Sequence, residues 1–382
     1  MIKKICIPIT SRGNYGKVRS VVDELIKNKN YEIIIMAGGS AILEKYGNIF
    51  ASDCINNNIP RVHKIHFLLD EQTPYSMAQS TGNSIIEFSK FFKKIKPDLV
   101  FVIADRFESL GIATASAYMN IPIVHLEGGE VTGSIDESIR HAISKLAHIH
   151  FPATAESKKR LIRLGEDPKC IHNVGSTSFD LLEKCRENKI SELHKFQDSI
   201  DNSPSMHVKS KEYLVVVKHP ITTEYDNNYK NTMELLKAIN EINMKTFWIM
   251  HNMDAGSDGV NKVFKNIKND NIILCKSMPL EIFGTMLNHA ACIIGNSSAG
   301  IRESSFLGLP SVNIGDRQTS REKLDNVIDI KCDHKKIYSA IKLQLKKKKY
   351  KRNFTYGNGS AGKKIASILS KSKIILQKKI MY

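Results

Sequence analysis

The sequence predicts an α/β protein of two doubly wound, Rossmann-like domains facing a cleft. Three observations carry this. Short β-rich apolar runs alternate with longer stretches of helical period through nearly all of the 382 residues. The alternation occurs as two series, separated by a polar, weakly periodic stretch at Glu187–Ser210. The length suits two domains of ordinary size rather than one core.

In order, the expected strands of the first series are Ile5–Thr10, Tyr31–Ala37, Val62–Leu68, Asp98–Ala104, Ile121–Leu126 and His148–Ala153, followed by Cys170–Gly175. Those of the second are Tyr213–Lys218, Thr246–His251, Asn271–Cys275, Cys292–Gly295, Ser311–Ile314 and Val327–Ile330. Between them Val18–Lys27, Ser80–Ile95, Ile139–Leu146 and Asn231–Ile242 place apolar residues three and four apart, as amphipathic helices do. The expected domains are residues 1–175 and 176–360. A last helix within 361–382, read at Gly362–Gln377, would cross back to the first domain.

Composition excludes several classes. With 42% hydrophobic and 25% charged residues the balance is that of a globular protein. No run approaches the roughly 18 apolar residues of a membrane span. The first apolar run is too short for a secretory leader, so a cytoplasmic protein without membrane contact is expected. Seven cysteines without C-x-x-C spacing suit structural thiols, and Cys6, Cys275 and Cys292 lie inside apolar runs. The net charge of +17 is concentrated. Residues 331–382 hold sixteen Lys and Arg against the single acid Asp333, while the other 330 residues hold forty basic and thirty-eight acidic groups. The dense run Lys346–Arg352 reads as a solvated helix face, and no nucleic-acid motif accompanies it.

In open parallel sheets, ligands bind beyond the carboxyl ends of the strands, so the polar residues there are the candidates. Strand one is followed by a glycine-bearing turn with Arg12 and Lys17, a possible anion site. Gly357–Lys364 resembles a phosphate loop but lacks its final Ser/Thr and a preceding strand, and is read as a false match. Asp105-Arg106, Glu127 and Asp136 bring carboxylates from three segments to strand ends or a helix start. Crowded carboxylates repel, so some hold protons at neutral pH, as acid–base chemistry requires. The alternative has Asp136 capping a helix, Glu130 facing solvent and Asp105 paired with Arg106. In the second half, His219 ends one strand and Gly295–Glu303 forms a small-residue turn with Ser297 and Ser298. Arg317 follows another strand, and together they suit a nucleotide diphosphate. No metal-ligand spacing is present, so no metal and no cofactor are expected.

On these residues the chain resembles the hydrolysing UDP-N-acetylglucosamine 2-epimerases. The resemblance rests on SRGNYGK at 11–17, YGN at 46–48, DRFE at 105–108 and HLEGGEVTGSIDESIRHAISKLAHIH at 125–150. It continues through HPITTE at 219–224, NMDAGS at 252–257, GNSSAGIRE at 295–303, GDRQ at 315–318 and YGNG at 356–359. It implies a glycosyltransferase-B type fold and conversion of UDP-N-acetylglucosamine and water to UDP and N-acetylmannosamine. It further implies a homodimer or homotetramer and a place in sialic- or legionaminic-acid synthesis. Asp105, Glu127 and Asp136 match its catalytic acids, with Asp136 and Glu127 expected in elimination and Asp105 in hydration. Arg12, Lys17, Arg106, His219, Asn252, Ser297, Ser298, Glu303 and Arg317 match positions lining the nucleotide.

Three departures bear on the sugar. Gly39-Ser40-Ala41 lacks a histidine usual in the family, Ile103-Ala104 replaces a His-Gly pair, and Asn14 and Gly16 stand where relatives carry Asp and Ser. Less polarity suits a 6-deoxy-2,4-diacetamido sugar on UDP or GDP. The competing readings are a non-hydrolysing 2-epimerase, a glycosyltransferase on the same scaffold and a nucleotide-sugar sensor.

Overall fold

The computed structural model describes residues 2–43, 62–69, 71, 73–199, 207–221, 226–250, 256–275 and 278–381, with Arg12 described by its backbone alone. The chain divides into two units: one of residues 1–131, 135–180 and 355–382, the other of 132–134 and 181–354.

The sheet of the first unit is six-stranded: β1 (Lys3–Ile9), β2 (Tyr31–Gly38), β3 (Val62–Ile65), β4 (Leu99–Ile103), β5 (Ile123–Leu126) and β6 (Ile149–Phe151), in the order β3-β2-β1-β4-β5-β6. Every pairing is parallel. The helices are α1 (Arg12–Leu25), α2 (Pro74–Ile95), α3 (Phe107–Tyr118), α4 (Asp136–Leu146) and α5 (Ala155–Arg163). Strand β4, Leu-Val-Phe-Val-Ile, is buried throughout, which is why it shows no alternation. Its residues Val100 and Val102 join Cys6, Met36, Phe88, Phe92, Ile112, Ile123 and Ile143 in one core.

Next come α6 (Ser178–Cys185) and α7 (Ser191–Asp198), the latter inside the polar stretch. The second sheet comprises β7 (Tyr213–Val217), β8 (Lys245–Ile249), β9 (Ile272–Cys275), β10 (Cys292–Gly295), β11 (Ser311–Ile314) and β12 (Val327–Ile330), in the order β12-β11-β10-β7-β8-β9. Its strands are also parallel. The helices are α8 (Asn228–Ile242), α9 (Ser257–Phe264), α10 (Leu280–His289), α11 (Arg302–Leu307) and α12 (His334–Lys347). Leu214, Val216, Trp248, Val260, Ile294, Val312, Ile337 and Ile341 form the core. The last helix, α13 (Ala361–Lys371), packs on α1 in the first unit. Each sheet thus has the doubly wound order with one reversal of winding, between β1 and β4 and between β7 and β10.

Three local expectations need correction. Cys170–Gly175 is no strand: it makes a single bridge, Ile171 to His150, after a 3-10 turn at Pro168–Cys170. Residues 11–17 are not a loop, because Ser11 caps α1 by accepting from the Asn14 amide at 3.2 Å, which carries Gly13 and Gly16 into the helix. The terminal helix stops at Lys371 rather than Gln377. Beyond it the chain is tied back, His148 Nε2 to the Leu376 carbonyl at 3.0 Å and Lys378 Nζ to Glu166 at 2.6 Å. Among the described residues no helix is long and apolar enough to cross a membrane.

Candidate functional site

In the first unit the candidates follow β1, β4 and β5. Lys17, in the second turn of α1, reaches Glu127 at 2.8 Å, and this carboxylate, 3% exposed, also accepts from Ser176 Oγ at 3.1 Å. Asp105 follows β4 and is bound by Arg140, a buried guanidinium that also donates to the Glu130 carbonyl at 2.7 Å. Burial works against the charge of Arg140, yet the nearby Asp105 and Glu130 outweigh it and raise its pKa. Asp136 opens α4 one turn before Arg140, so a single helix presents an acid and the cation that faces Asp105.

The structure departs from the alternative reading of these acids at Glu130 and Asp136. Asp105 is held by Arg140, and Arg106 donates to Glu108 at 2.7 Å. Glu130 is buried, and the N-cap of α4 is Ile135, without a side-chain cap bond. Beneath the acids, buried His125 binds the Ala104 carbonyl through Nε2 at 2.9 Å and lies 3.1 Å from Ser144 Oγ through Nδ1. A carbonyl only accepts, so Nε2 carries the proton, and burial holds the ring neutral by lowering its pKa to about 3. Ala41, where a family histidine is missing, is buried, and the hydroxyl of the preceding Ser40 donates to the Thr10 carbonyl at 3.3 Å.

In the second unit the candidates meet around a residue the sequence reading passed over. Asn296 follows β10 and is fully buried; its side chain accepts from the His219 amide at 2.7 Å and donates to the His219 carbonyl at 2.9 Å. Its own carbonyl accepts from Arg317 at 3.2 Å and Gln318 at 3.1 Å. Asn296 therefore ties the exits of β7, β10 and β11 together. Ser297 Oγ accepts from the Ala299 amide at 3.3 Å, capping the 3-10 turn Ser298–Gly300, and Glu303 follows on α11. Arg140 and Asn296 both stood inside quoted motifs. What marked them was a cation four residues after an acid on one helix, and an amide directly after a strand-ending glycine. Asn252, YGN at 46–48 and 222–224 of HPITTE lie outside the described residues.

The phosphate-loop look-alike binds a protein carboxylate instead. Asp180 accepts from the amides of Ala361 at 2.9 Å and Gly362 at 2.7 Å, so the start of α13 is already satisfied. No three of His, Cys, Asp and Glu gather as metal ligands among the described residues.

The profile of the UDP-N-acetylglucosamine 2-epimerase family matches residues 23–370. The chain belongs to that family. It is similar to the UDP-N,N'-diacetylbacillosamine 2-epimerase (hydrolyzing) of Legionella pneumophila, 31% identical over 370 residues, 97% of this chain and 96% of that protein. It is also similar to the GDP/UDP-N,N'-diacetylbacillosamine 2-epimerase (hydrolyzing) of Campylobacter jejuni, 32% identical over 86% of this chain and 84% of that protein. In fold it is like the Methanocaldococcus jannaschii UDP-GlcNAc 2-epimerase solved with UDP-GlcNAc and UDP. There the TM-score is 0.79 at 22% identity, over 97% of this chain and 100% of that one. The architecture of this epimerase-family chain is thus glycosyltransferase-B type.

Proposed function

We propose that this chain is a metal-independent hydrolysing 2-epimerase, converting UDP-N-acetylglucosamine and water to N-acetylmannosamine and UDP. The observation that carries the reading is the set Asp105, Glu127 and Asp136, two of them in contact with a cation, at the carboxyl ends of β4 and β5 and the start of α4. The chemistry needs such a set. Carbon 2 of the sugar has no adjacent carbonyl, so its proton becomes removable only as the bond to UDP lengthens and the ring gains oxocarbenium character. One carboxylate takes that proton, giving a glycal. Water then adds, with one acid protonating carbon 2 and another activating the water. Glu127 and Asp136 serve elimination and Asp105 serves hydration.

Arg12, Lys17, Arg106, His219, Asn252, Ser297, Ser298, Glu303 and Arg317 bind the nucleotide sugar. Arg317, His219 and the hydroxyls of Ser297 and Ser298 carry the charge that develops on the departing diphosphate. A cytoplasmic homodimer or homotetramer in the synthesis of sialic-type sugars completes the reading, and analytical ultracentrifugation decides the assembly.

A specific observation favours a second substrate. The Legionella and Campylobacter relatives are named for a diacetylated sugar, and here Ile103 and Ala41 stand where the family carries histidines, both changes toward lower polarity. UDP- or GDP-2,4-diacetamido-2,4,6-trideoxyglucose is that substrate.

Proton NMR in deuterated water with a chelator, on each nucleotide sugar in turn, tests both. Free 2-epimer deuterated at carbon 2, appearing together with the nucleoside diphosphate, is the expected result. A 2-epimer still bearing the nucleotide would make the enzyme non-hydrolysing, and no turnover of any of them would sink the reading.

A further inference from the structure

Within the first unit, four residues from Gly175 to Ser178 touch both members of the Lys17–Glu127 pair. Ser176, fully buried, donates its hydroxyl to Glu127 Oε1 at 3.1 Å while Lys17 holds Oε2. Thr177 Oγ1 donates to the Lys17 carbonyl, and the Thr177 carbonyl accepts from Ser20 Oγ at 3.2 Å, so the same strap grips the second turn of α1. Ser178 Oγ lies 2.9 Å from Ser176 Oγ; with the Ser176 proton on Glu127, Ser178 is the donor.

The strap is itself fixed from the other side. The Ser176 amide donates to the Tyr356 carbonyl at 2.6 Å. Gly175 and Gly357 have φ of +90° and +114°, and a β-carbon on either would come within 2.8 Å of the other's Cα. Two backbones meet there with no room for a side chain. Asp180, just beyond, is held by the amides of Ala361 and Gly362.

We propose that Ser176 is a positioning residue for Glu127, and that the strap it belongs to sets the geometry of the Lys17–Glu127 pair. This rests on the reading of Glu127 as a catalytic carboxylate. An ammonium on one oxygen and a hydroxyl on the other suit an ionised Glu127 with a fixed plane, the state a proton acceptor needs. His125, on β5 two residues before Glu127, is turned to Ala104 and Ser144 and is uncharged, while Lys17 sets a cation against the acid.

The test uses the full-length enzyme with whichever nucleotide sugar it turns over, comparing Ser176→Ala, Ser176→Thr and Glu127→Gln. One lost hydrogen bond to an ionised group amounts to about ten- to one-hundred-fold. S176A is therefore expected to lower kcat by about that factor with KM within two-fold. Its acidic limb should move up by about one to two pH units, because losing a donor to the ionised form makes the carboxyl easier to protonate. S176T, which keeps the hydroxyl, should restore the limb. Wild-type kcat and an unmoved limb in S176A, with E127Q inactive, overturn the strap proposal alone. An active E127Q overturns the catalytic reading beneath it. Should S176A fail to fold, Thr177→Val removes the grip on Lys17, with a fall in kcat expected and an unchanged kcat counting against the strap.

Discussion

The two sheets share a strand order, and their fourth and fifth strands end in the same way by different means. After β4 the chain turns through Ala104 at φ +55°, and after β5 through Glu127 at φ +61°. In the second unit the same places are Gly295, closing β10 at φ +137°, and Gly315, after β11 at φ +76°. The hydrogen bonds agree: Glu127 donates its amide to Phe151, ending β6, as Gly315 donates to Ile330, ending β12. Both units need a left-handed residue where a strand exits toward its ligand edge. The second uses glycine, which adopts it freely, and there Asn296 ties the neighbouring strand exits together. The first spends a side chain at each place, at about 1–2 kcal/mol apiece. Where a carboxylate must stand on the turn itself, glycine is not available.

The largest expected effect comes from removing that carboxylate. Glu127→Gln and Asp105→Asn should each lower turnover by about 10²–10⁴-fold while nucleoside diphosphate binding persists, followed by UDP release and by calorimetry. Glu127→Gly gives the first unit the second unit's solution. It should be as inactive as E127Q yet more stable than E127Q by about 1 kcal/mol in urea unfolding, since both lose the ion pair and only glycine relieves the positive φ. Equal or lower stability would show that Glu127 carries no backbone strain.

The reverse exchange should damage the fold instead. A β-carbon at Gly295 would sit 2.1 Å from the Val217 carbonyl oxygen, between β10 and β7, as well as demanding φ +137°. Gly295→Ala is expected to destabilise by about 3 kcal/mol or more, read from the urea midpoint. A loss below about 1 kcal/mol would mean that this strand exit can shift and that the two units are less alike than their hydrogen bonds indicate.

Charge separates the units again under acid. Burial pulls the Glu166 carboxyl upward, but hydrogen bonds from His150, Lys145 and Lys378 outweigh it and bring it down to about 2. A carboxyl lower in the fold than in the unfolded chain stabilises above its ordinary value near 4.5, and that contribution is lost as pH falls toward 2. His125, lowered to about 3, stays neutral in the fold while the unfolded chain takes up a proton below about 6.5. Its contribution is lost as pH falls from about 6.5 to 3. Both groups lie in the first unit, so melting temperature should fall in two overlapping windows. Glu166→Gln should cost about 2–3 kcal/mol at neutral pH and abolish the lower window alone. Survival of both windows in E166Q would detach the tail clamp at Lys378 from acid stability.

Much of this was legible in the sequence because its signals are local. The runs at β4, β7, β10, β11 and β12 are bounded by turn residues, and a strand buried on both faces declares itself by composition. Asp105, Glu127, His219 and Arg317 stood out because polar residues directly after such runs are conspicuous. What escaped depended on distant partners. Nothing near Arg140 says that its guanidinium crosses to Asp105, and nothing near Asn296 says that it binds the His219 peptide. Ser176 lies directly after Cys170–Gly175, a short run read as a strand. Its tertiary partners, Tyr356 and Gly357, are 180 residues away and overrode that pattern. The terminal helix was read too long because Ile374, Ile375 and Leu376 continue its apolar content, while its stop is set by ties to His148 and Glu166.

The smallest effect discriminates most finely. Ala104 sits at φ +55° with a methyl group that does no chemistry, so its strain serves the residue after it, Asp105. Its carbonyl is held by His125 Nε2, and Asp105 is held by Arg140, which fixes the turn from both sides. Ala104→Gly removes the steric penalty and adds chain entropy to the unfolded state. The net should be a gain of about 0.5–1 kcal/mol in urea unfolding. The same freedom loosens Asp105, so kcat should fall by about two- to five-fold with KM unchanged, well short of the loss in D105N. A more stable and slightly slower enzyme would show that the first unit holds strain to aim a carboxylate. A more stable enzyme of full activity would leave the positive φ at Ala104 as a feature of the strand exit alone, as at Gly295.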